Sequence, residues 1–322
     1  MTKNADIRDN ALFVMAGLIL VNVFWGASSI AAKEALQQLN AIEIVTIRFA
    51  IALLIVFGMA VAMKKWDALK IDPRDIPTFI LLSLSNVSIG FILQVESLNY
   101  TTVTNFSMEF NLATFFIMLM GALLLGERLT RRKLAGAGVA FSGAFLIISG
   151  GHLDLASTHL LGDAMGVGSA IAFGLFTIAS KKISSKYGLM TILLYTFFFG
   201  VLELLPFYVL GTPMTPLTSL SALSWSSLLF LAVLCSVFCF FVYTHGLSRL
   251  RASDVAMSIY VTPLAGILLA VLLLGEKLTT FTVFGAGLIL AGMYLTQQEL
   301  RIPREPLANA PEKRYTPIAM NE

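Results

Sequence analysis

Three ionisable residues lie deep inside long apolar runs of the sequence: Arg48, Glu109 and Glu203. A charged side chain within a membrane span costs about 2.5–3.5 kcal/mol on insertion scales, so these side chains should face protein or water and are candidates for a functional site. Each lies about seven residues from the predicted outer end of its run, a depth of roughly 10 Å at 1.5 Å per residue. The three could therefore meet in one cavity.

These charges permit two kinds of chemistry. A carboxylate such as that of Glu109 can bind a cationic or amino-group solute, or carry a coupling proton. Arg48 can then be the ion-pair partner of Glu109, or it can hold the carboxylate of a solute. In the purely structural alternative, Arg48 and one carboxylate form a satisfied buried pair. The sequence leaves these interpretations open, and Glu203 shares the same ambiguity.

Polar and aromatic residues supply candidate walls for such a cavity. In the apolar run 78–98, five residues share one helix face because their spacings are 3, 4, 4 and 3: Ser83, Asn86, Gly90, Gln94 and Ser97. In lipid such a face must turn inward, either to hydrogen-bond across helices or to line a wet cavity. Asn105 shares a face with Glu109, four residues later. Trp25 could box an apolar or cationic solute, although tryptophan is also common at bilayer interfaces. The predicted solute-binding residues are Glu109, Arg48, Trp25, Asn86, Asn105 and Glu203.

Other kinds of site have little support in the sequence. The phosphate-binding pattern G-x-x-x-x-G-K-[ST] is absent, so we expect no use of ATP by this chain. His152 and His159 lack a zinc-binding spacing, and Cys235 and Cys239 are expected to pack as small apolar residues. We therefore predict no metal, no cofactor and no enzymatic activity. A membrane-embedded enzyme would need convergent catalytic groups beyond these scattered charges.

The composition indicates which elements must hold these residues. Of the 322 residues, 57% are hydrophobic and 13% are charged, and the mean hydropathy is +0.83. Such a chain needs lipid as its solvent. A helix needs roughly 20 apolar residues to cross the bilayer. Ten runs of about that length are predicted to be transmembrane helices of an all-α membrane protein: 12–32, 41–63, 78–98, 102–125, 133–150, 163–183, 189–210, 226–248, 254–274 and 280–298.

The distribution of Lys and Arg predicts the orientation of these helices. Cytoplasmic loops of membrane proteins carry an excess of Lys and Arg. With a cytoplasmic N-terminus, 19 of the 22 cations fall on the cytoplasmic side, only Lys33 and Lys277 fall outside, and Arg48 lies within a span. We therefore predict that both termini are cytoplasmic, with tails at 1–11 and 299–322. The net charge of +3 is explained by topology, so no nucleic-acid partner is expected.

An internal repeat divides the chain. The segment LLLGERLTRRKLAGAG recurs about 149 positions later as LLLGEKLTTFTVFGAG, and the shared glycines are typical of small-residue seams between helices. This predicts two five-helix units, at 12–150 and 151–298. Because five is odd, the second unit must enter the membrane from the opposite side, which is the inverted repeat found in many secondary transporters.

The order and duplication of several short motifs resemble the EamA-like family of the drug/metabolite transporter superfamily. The motifs are Phe24-Trp25-Gly26 with Lys33, Arg48-Phe49, GERLT at 126–130, Gly162-Asp163, Pro263, and GEKLT at 275–279. This resemblance implies ten helices around a central cavity and alternating-access transport of a small organic solute.

We therefore predict a secondary transporter of the cytoplasmic membrane that works mainly as an exporter. Its expected solutes are small metabolites, amino-acid-like compounds or amphipathic cations, with protons as a candidate coupling ion. The alternative is a sensor or partner-binding subunit that has the same fold and transports nothing.

Overall fold

The computed structural model describes residues 2–100, 103–127, 129–149, 160–211, 215–274 and 280–297. Across these ranges the chain forms helices joined by turns, and no strand occurs in them. For part of the helical residues, including 2–12, Asn105 and Glu109, only the backbone is described. The predicted tail 299–322 lies outside the described residues.

Ten helical segments follow one another in the described ranges. They are α1 Thr2–Ala35, α2 Ala41–Ala62, α3 76–100, α4 Val103–Leu125, α5 Arg131–Ser149, α6 Leu160–Ile183, α7 Leu189–Leu210, α8 Ala222–Arg249, α9 252–274 and α10 Thr280–Gln297. Each contains or closely matches one predicted apolar run. The largest difference is at the start, where α1 extends through 2–11 rather than beginning near 12.

Six of these helices contain stretches that are long and apolar enough to cross a membrane, namely those in α1, α2, α3, α6, α7 and α8. Large apolar side chains also cover the outside of the bundle, including Phe13, Leu54, Leu123 and Leu210, which are 81%, 70%, 74% and 83% exposed. A soluble protein rarely exposes an apolar surface of this extent. The surface therefore fits a lipid environment, and the chain is a multi-pass membrane protein.

Three helices depart from regular α geometry. α3 contains a π-helical turn at Leu84–Ser88, and α8 contains one at Phe230–Phe238. The two turns occupy equivalent positions of the repeat, because a shift of Phe230–Phe238 by about 149 positions places it over Leu84–Ser88. α9 has a 3-10 turn at Ser258–Tyr260, just before Pro263. Proline lacks the N–H that would continue the α-helical pattern there, which accounts for the local tightening.

Equivalent helices of the two halves of the chain have equivalent packing partners. α1 packs on α8 and α9, and the corresponding helix of the second half, α6, packs on α3 and α4. α2 packs on α7 and α8, and α7 packs on α2 and α3. α5 and α10 pack on each other. These pairs are what a two-fold relation between two five-helix units would produce.

Small residues let the helices approach closely at two crossings. A Cβ on Gly143 of α5 would lie 2.5 Å from the carbonyl oxygen of Gly285 in α10, and one on Gly292 would collide with the backbone of α5. The predicted glycine seam is therefore confirmed at this crossing. A Cβ on Gly26 of α1 would lie 2.7 Å from the Thr262 carbonyl oxygen of α9. This second crossing fixes the position of the neighbouring Trp25.

Candidate functional site

A small cavity lies at the centre of the bundle, where α1, α3, α4, α6 and α9 meet. Its lining residues are Trp25, Ser28, Ser29, Asn86, Gly90, Phe91, Gln94, Phe106, Phe110, Ser169, Phe173 and Thr262. The first three helices belong to the first half of the chain and the other two to the second half. The cavity volume is about 20 Å³, which is room for a single water molecule. The conformation is thus nearly closed around the site.

Aromatic rings form one part of the cavity wall. Trp25 is 7% exposed, and its Nε1 donates a hydrogen bond to the Cys235 carbonyl oxygen in the π-helical turn of α8 at 3.2 Å. Its ring centroid lies 5.6 Å from that of Phe173 and 5.2 Å from that of Tyr243. The indole is therefore held from several sides while one part of it faces the cavity. Such a wall suits an apolar or aromatic portion of a solute.

Polar groups form the other part of the wall. Asn86 is 1% exposed, and its Nδ2 has no hydrogen-bond partner among the described residues. It lies within the π-helical turn of α3, and such turns are frequent at functional sites. The other polar lining groups include Thr262, whose hydroxyl donates to Asn22 Oδ1 at 2.9 Å. The Asn86 amide is therefore a donor that remains available to a bound molecule.

Arg48 is buried beside the cavity rather than in its wall. The side chain is 1% exposed, and its Nε donates to Ser236 Oγ in the π-helical turn of α8 at 2.7 Å. Its Cζ lies 4.2 Å from the centroid of Phe91, a ring that lines the cavity. Among the described residues no carboxylate lies within ion-pair distance of Arg48. The described residues therefore do not form the buried ion pair that the structural alternative predicts for Arg48. The guanidinium contacts the cavity wall through Phe91.

Glu203 has a different environment. Its carboxylate is half-buried on α7 and accepts hydrogen bonds from Ser83 Oγ, at 2.6 Å, and from Ser88 Oγ. Both serines belong to α3, so the contact joins the two helices. Glu203 is not among the cavity-lining residues.

The structure therefore brings together some of the predicted site residues and separates others. Trp25 and Asn86 share the cavity wall, and Arg48 contacts that wall through Phe91. Arg48 and Glu203 do not meet in one cavity as predicted, because each finds hydroxyl partners on a different π-containing helix. The side chains of Asn105 and Glu109 lie outside the described residues, although Phe106 and Phe110 of the same helix line the cavity. The solute-binding roles of all six residues stay predictions.

A second cluster, made of charged side chains and one serine, lies at one end of the bundle between the α4–α5 turn and the start of α9. We call it the α4–α9 junction, and its members are Glu127, Lys133, Arg251, Ser253 and Asp254. Lys133 is fully buried, donates to Ser253 Oγ at 2.8 Å and forms an ion pair with Asp254. Asp254 also pairs with Arg251 at 2.7 Å. The sequence contains one hint of this cluster: Asp254 is an acidic residue at the edge of an apolar run. Its partner Lys133 lies 121 positions away and is predicted only as a cytoplasmic cation.

Glu127, the acidic residue of the GERLT motif, caps α9. Its carboxylate accepts hydrogen bonds from the backbone N–H groups of Ala252 and Ser253 at 2.7 and 3.1 Å. These are the first two residues of α9, where N–H groups lack helical partners and the helix dipole favours a negative charge. The motif therefore joins the first half of the chain to the second.

An exposed cluster joins two loops at the predicted cytoplasmic face. Lys186 pairs with Asp75 and, at 3.4 Å, with Asp72. Tyr187 donates its hydroxyl hydrogen to Asp75 at 2.6 Å. The hydrogen bond from Lys186 lowers the pKa of Asp75, the backbone N–H of Arg74 lowers the pKa of Asp72, and the Asp75 contact raises the pKa of Lys186.

Comparison with known proteins identifies relatives over nearly the whole chain. The sequence profile of the EamA-like transporter family matches residues 12–149 and again residues 160–297. A protein of Archaeoglobus fulgidus named "Uncharacterized transporter" is 32% identical over 280 residues, which cover 87% of this chain and 95% of that protein. An Escherichia coli protein named "Probable amino-acid metabolite efflux pump" is 25% identical over 88% of this chain and 94% of its own length.

Two further likenesses agree with these matches. A protein of Streptantibioticus cattleyicolor named "Probable terminal-alkyne amino-acid exporter" is 25% identical over 92% of this chain and 97% of that protein. A solved crystal structure has a TM-score of 0.74 and covers 90% of this chain and 97% of its own, at 16% identity, which concerns the fold alone. The resemblance seen in the sequence motifs is confirmed, and the chain belongs to the EamA-like transporter family, a family of membrane transporters rather than enzymes.

Proposed function

We propose that this protein is a secondary transporter that exports small organic solutes, of amino-acid-like or amphipathic cationic chemistry, across the cytoplasmic membrane by alternating access. The observation that carries the proposal is the central cavity, which is lined by helices of both halves. A site at the interface of two repeats can open to either side when one repeat rocks against the other. Its present volume of about 20 Å³ is far below the roughly 300–1,000 Å³ of ordinary ligand pockets, so binding requires opening.

The proposed topology has ten membrane crossings, with both termini cytoplasmic and two inverted units at 12–150 and 151–298. The two matches of the family profile support the division into units. The exchange pattern of helix contacts and the equivalent π-helical turns of α3 and α8 support a two-fold relation between them. The excess of Lys and Arg on one side supports the orientation.

The chemistry of the cavity favours an amphipathic solute. Five aromatic rings and several amide or hydroxyl groups line it, so an apolar portion and a polar portion can be held at once. The names of two relatives, "Probable terminal-alkyne amino-acid exporter" and "Probable amino-acid metabolite efflux pump", point to the same chemistry. Glu109 is proposed as the carboxylate that binds an amino group or a coupling proton, with Asn105 beside it on α4.

The proposal is tested by counterflow in proteoliposomes. A radiolabelled panel of amino acids, polyamines, nucleosides and organic cations is measured with and without a pH gradient, for the wild type, Glu109→Gln and protein-free vesicles. We expect saturable flux of at least one amphipathic compound, and loss of flux or of its pH coupling in Glu109→Gln. Unchanged flux in the variant contradicts the role of Glu109 alone. The absence of flux for every compound favours the non-transporting sensor.

A further inference from the structure

We propose that Arg48 and Asn86 form a subsite that binds the carboxylate of the transported solute, and that Phe91 covers Arg48 in the closed conformation. The inference rests on the proposed function, because it names the solute chemistry of the same cavity. It adds a requirement that the proposed function lacks: the solute carries a carboxyl group, and this group decides affinity.

Arg48 is a buried cation with unused donor capacity. Its Nε bonds Ser236, whereas its Nη2 has no hydrogen-bond partner among the described residues, and no described carboxylate pairs with it. Burial of a charge is costly unless it is paired and hydrogen-bonded. The rings of Phe91 and Phe49, 4.2 and 5.3 Å from Cζ, offset a part of that cost through cation–π attraction. An anionic hydrogen-bond acceptor would therefore stabilise the buried guanidinium more than a neutral acceptor would.

Asn86 supplies a second unused donor. Its Nδ2 is unpartnered among the described residues, and the residue lines the cavity. Both unsatisfied groups of this subsite are N–H donors, so their complement is a group that only accepts. A carboxylate has two oxygens with about four acceptor positions and matches the planar guanidinium in a bidentate arrangement.

Phe91 lies between Arg48 and the cavity. It lines the cavity and also packs against the Arg48 guanidinium, so displacement of this single ring would bring the cation to the solute. The ring lies three residues after the π-helical turn Leu84–Ser88, which also carries Asn86. A change in that turn during cavity opening would move Asn86 and Phe91 together. Closure over the carboxylate would reverse the same movement.

Binding is measured by the fluorescence of Trp25, which lines the cavity. In a Trp66→Phe/Trp225→Phe background Trp25 is the sole tryptophan of the chain. The purified protein in detergent is titrated with L-leucine and L-leucinamide, and with L-phenylalanine and L-phenylalaninamide. Each pair differs only at the carboxyl group. We expect each acid to bind at least tenfold more tightly than its amide, which corresponds to about 1.4 kcal/mol.

The variants assign this preference to the subsite. Arg48→Gln should bring the acid-to-amide ratio to within twofold, Arg48→Lys should retain an intermediate ratio, and Asn86→Ala should weaken acid binding severalfold. Arg249→Gln is the matched control, because Arg249 is exposed at the end of α8 and should leave the ratio unchanged. The comparison of acid and amide in the parent protein needs no variant at position 48, so it holds even if Arg48→Gln fails to fold.

Three results would overturn the inference. They are equal affinity of acid and amide in the parent protein, the absence of any response to the acids, and an unchanged ratio in folded Arg48→Gln. If the counterflow panel then yields saturable flux only for compounds without a carboxyl group, the transporter proposal stands while the carboxylate subsite fails. If no compound in that panel is transported, the transporter proposal itself fails.

Discussion

Lys133 of α5 forms an ion pair with Asp254 of α9 inside the bundle, with side chains only 1% and 8% exposed. The pair joins the first half of the chain to the second at the α4–α9 junction. The corresponding positions in the opposite half, shifted by the repeat offset, are Thr282 and Asn105, which are uncharged. The Lys133–Asp254 ion pair therefore joins the two halves at one end of the bundle. The equivalent positions of the repeat, which belong to the other end, carry no charges that could form such a pair. In the proposed topology the end with the ion pair faces the cytoplasm, and we expect the contact to break when the cavity opens to that side.

The two partners of this pair should respond unequally to substitution. Asp254→Asn leaves Lys133 buried without a counter-ion, and removal of one partner of a buried pair typically costs about 3–5 kcal/mol. Lys133→Met should cost less, because Asp254 keeps its contact with Arg251. Unfolding titrations in mixed micelles measure both free energies. Asp67→Asn is the control, since the Asp67–Lys70 pair is exposed and such pairs contribute about 0–1 kcal/mol. Equal, small losses for all three variants would contradict the structural role of the junction.

The α5–α10 crossing predicts opposite effects for two glycines of one helix. Gly143→Ala should destabilise the protein by about 1–3 kcal/mol, because the new Cβ meets the Gly285 carbonyl oxygen at 2.5 Å. Gly138→Ala should be neutral or stabilising by up to roughly 1 kcal/mol, because no atom lies within 4 Å of its Cβ and alanine favours helix. Thermal unfolding of the two variants gives the comparison. A larger loss for Gly138→Ala than for Gly143→Ala would show that the crossing is placed wrongly.

The loop cluster around Lys186 predicts a specific pH dependence. The pKa values of Asp72 and Asp75 are lowered from the ordinary value of 3.8 by their hydrogen bonds. A lowered pKa means that the contribution to stability is present above the unfolded pKa and is lost as pH falls through the folded one. The difference in Tm between the wild type and Asp75→Asn should therefore be constant from about pH 5 to 8 and vanish in strong acid. Glu34→Gln serves as the control. A difference that grows on acidification would contradict this assignment.

Several features of the site could be predicted from residue types and their spacing. Asn86 is predicted from spacing, because polar residues that share one face of a helix in an apolar run must face protein. Trp25 is predicted from its chemistry, because its ring can box a solute, and both residues line the cavity. The glycine seam followed from the repeated motif. These inferences needed only the residue types and periodicity of one helix and the scarcity of polar groups in a lipid-soluble chain.

Other features depended on contacts between distant parts of the chain. Arg48 bonds Ser236, 188 positions away, because a π-helical turn of α8 lies beside α2, and apolar periodicity does not reveal such turns. Glu203 finds Ser83 and Ser88 on α3 instead of a shared cavity. The sequence predicts Lys133 only as one of the cytoplasmic cations, because burial of a lysine depends on a partner that single-helix patterns cannot identify.

If solute passes through the cavity between the two halves of the chain, a substitution that fills this cavity should block transport. Ser29 is 5% exposed and lines the cavity, so Ser29→Phe should fill the available volume. Ser226→Phe is the matched control, because Ser226 is exposed and lies outside the cavity. Counterflow in proteoliposomes is measured for both variants with the best solute of the panel, after thermal unfolding has verified that they fold. We expect at least a tenfold loss of saturable flux in Ser29→Phe and wild-type flux in Ser226→Phe. Wild-type flux in a folded Ser29→Phe protein would contradict passage of the solute through this cavity.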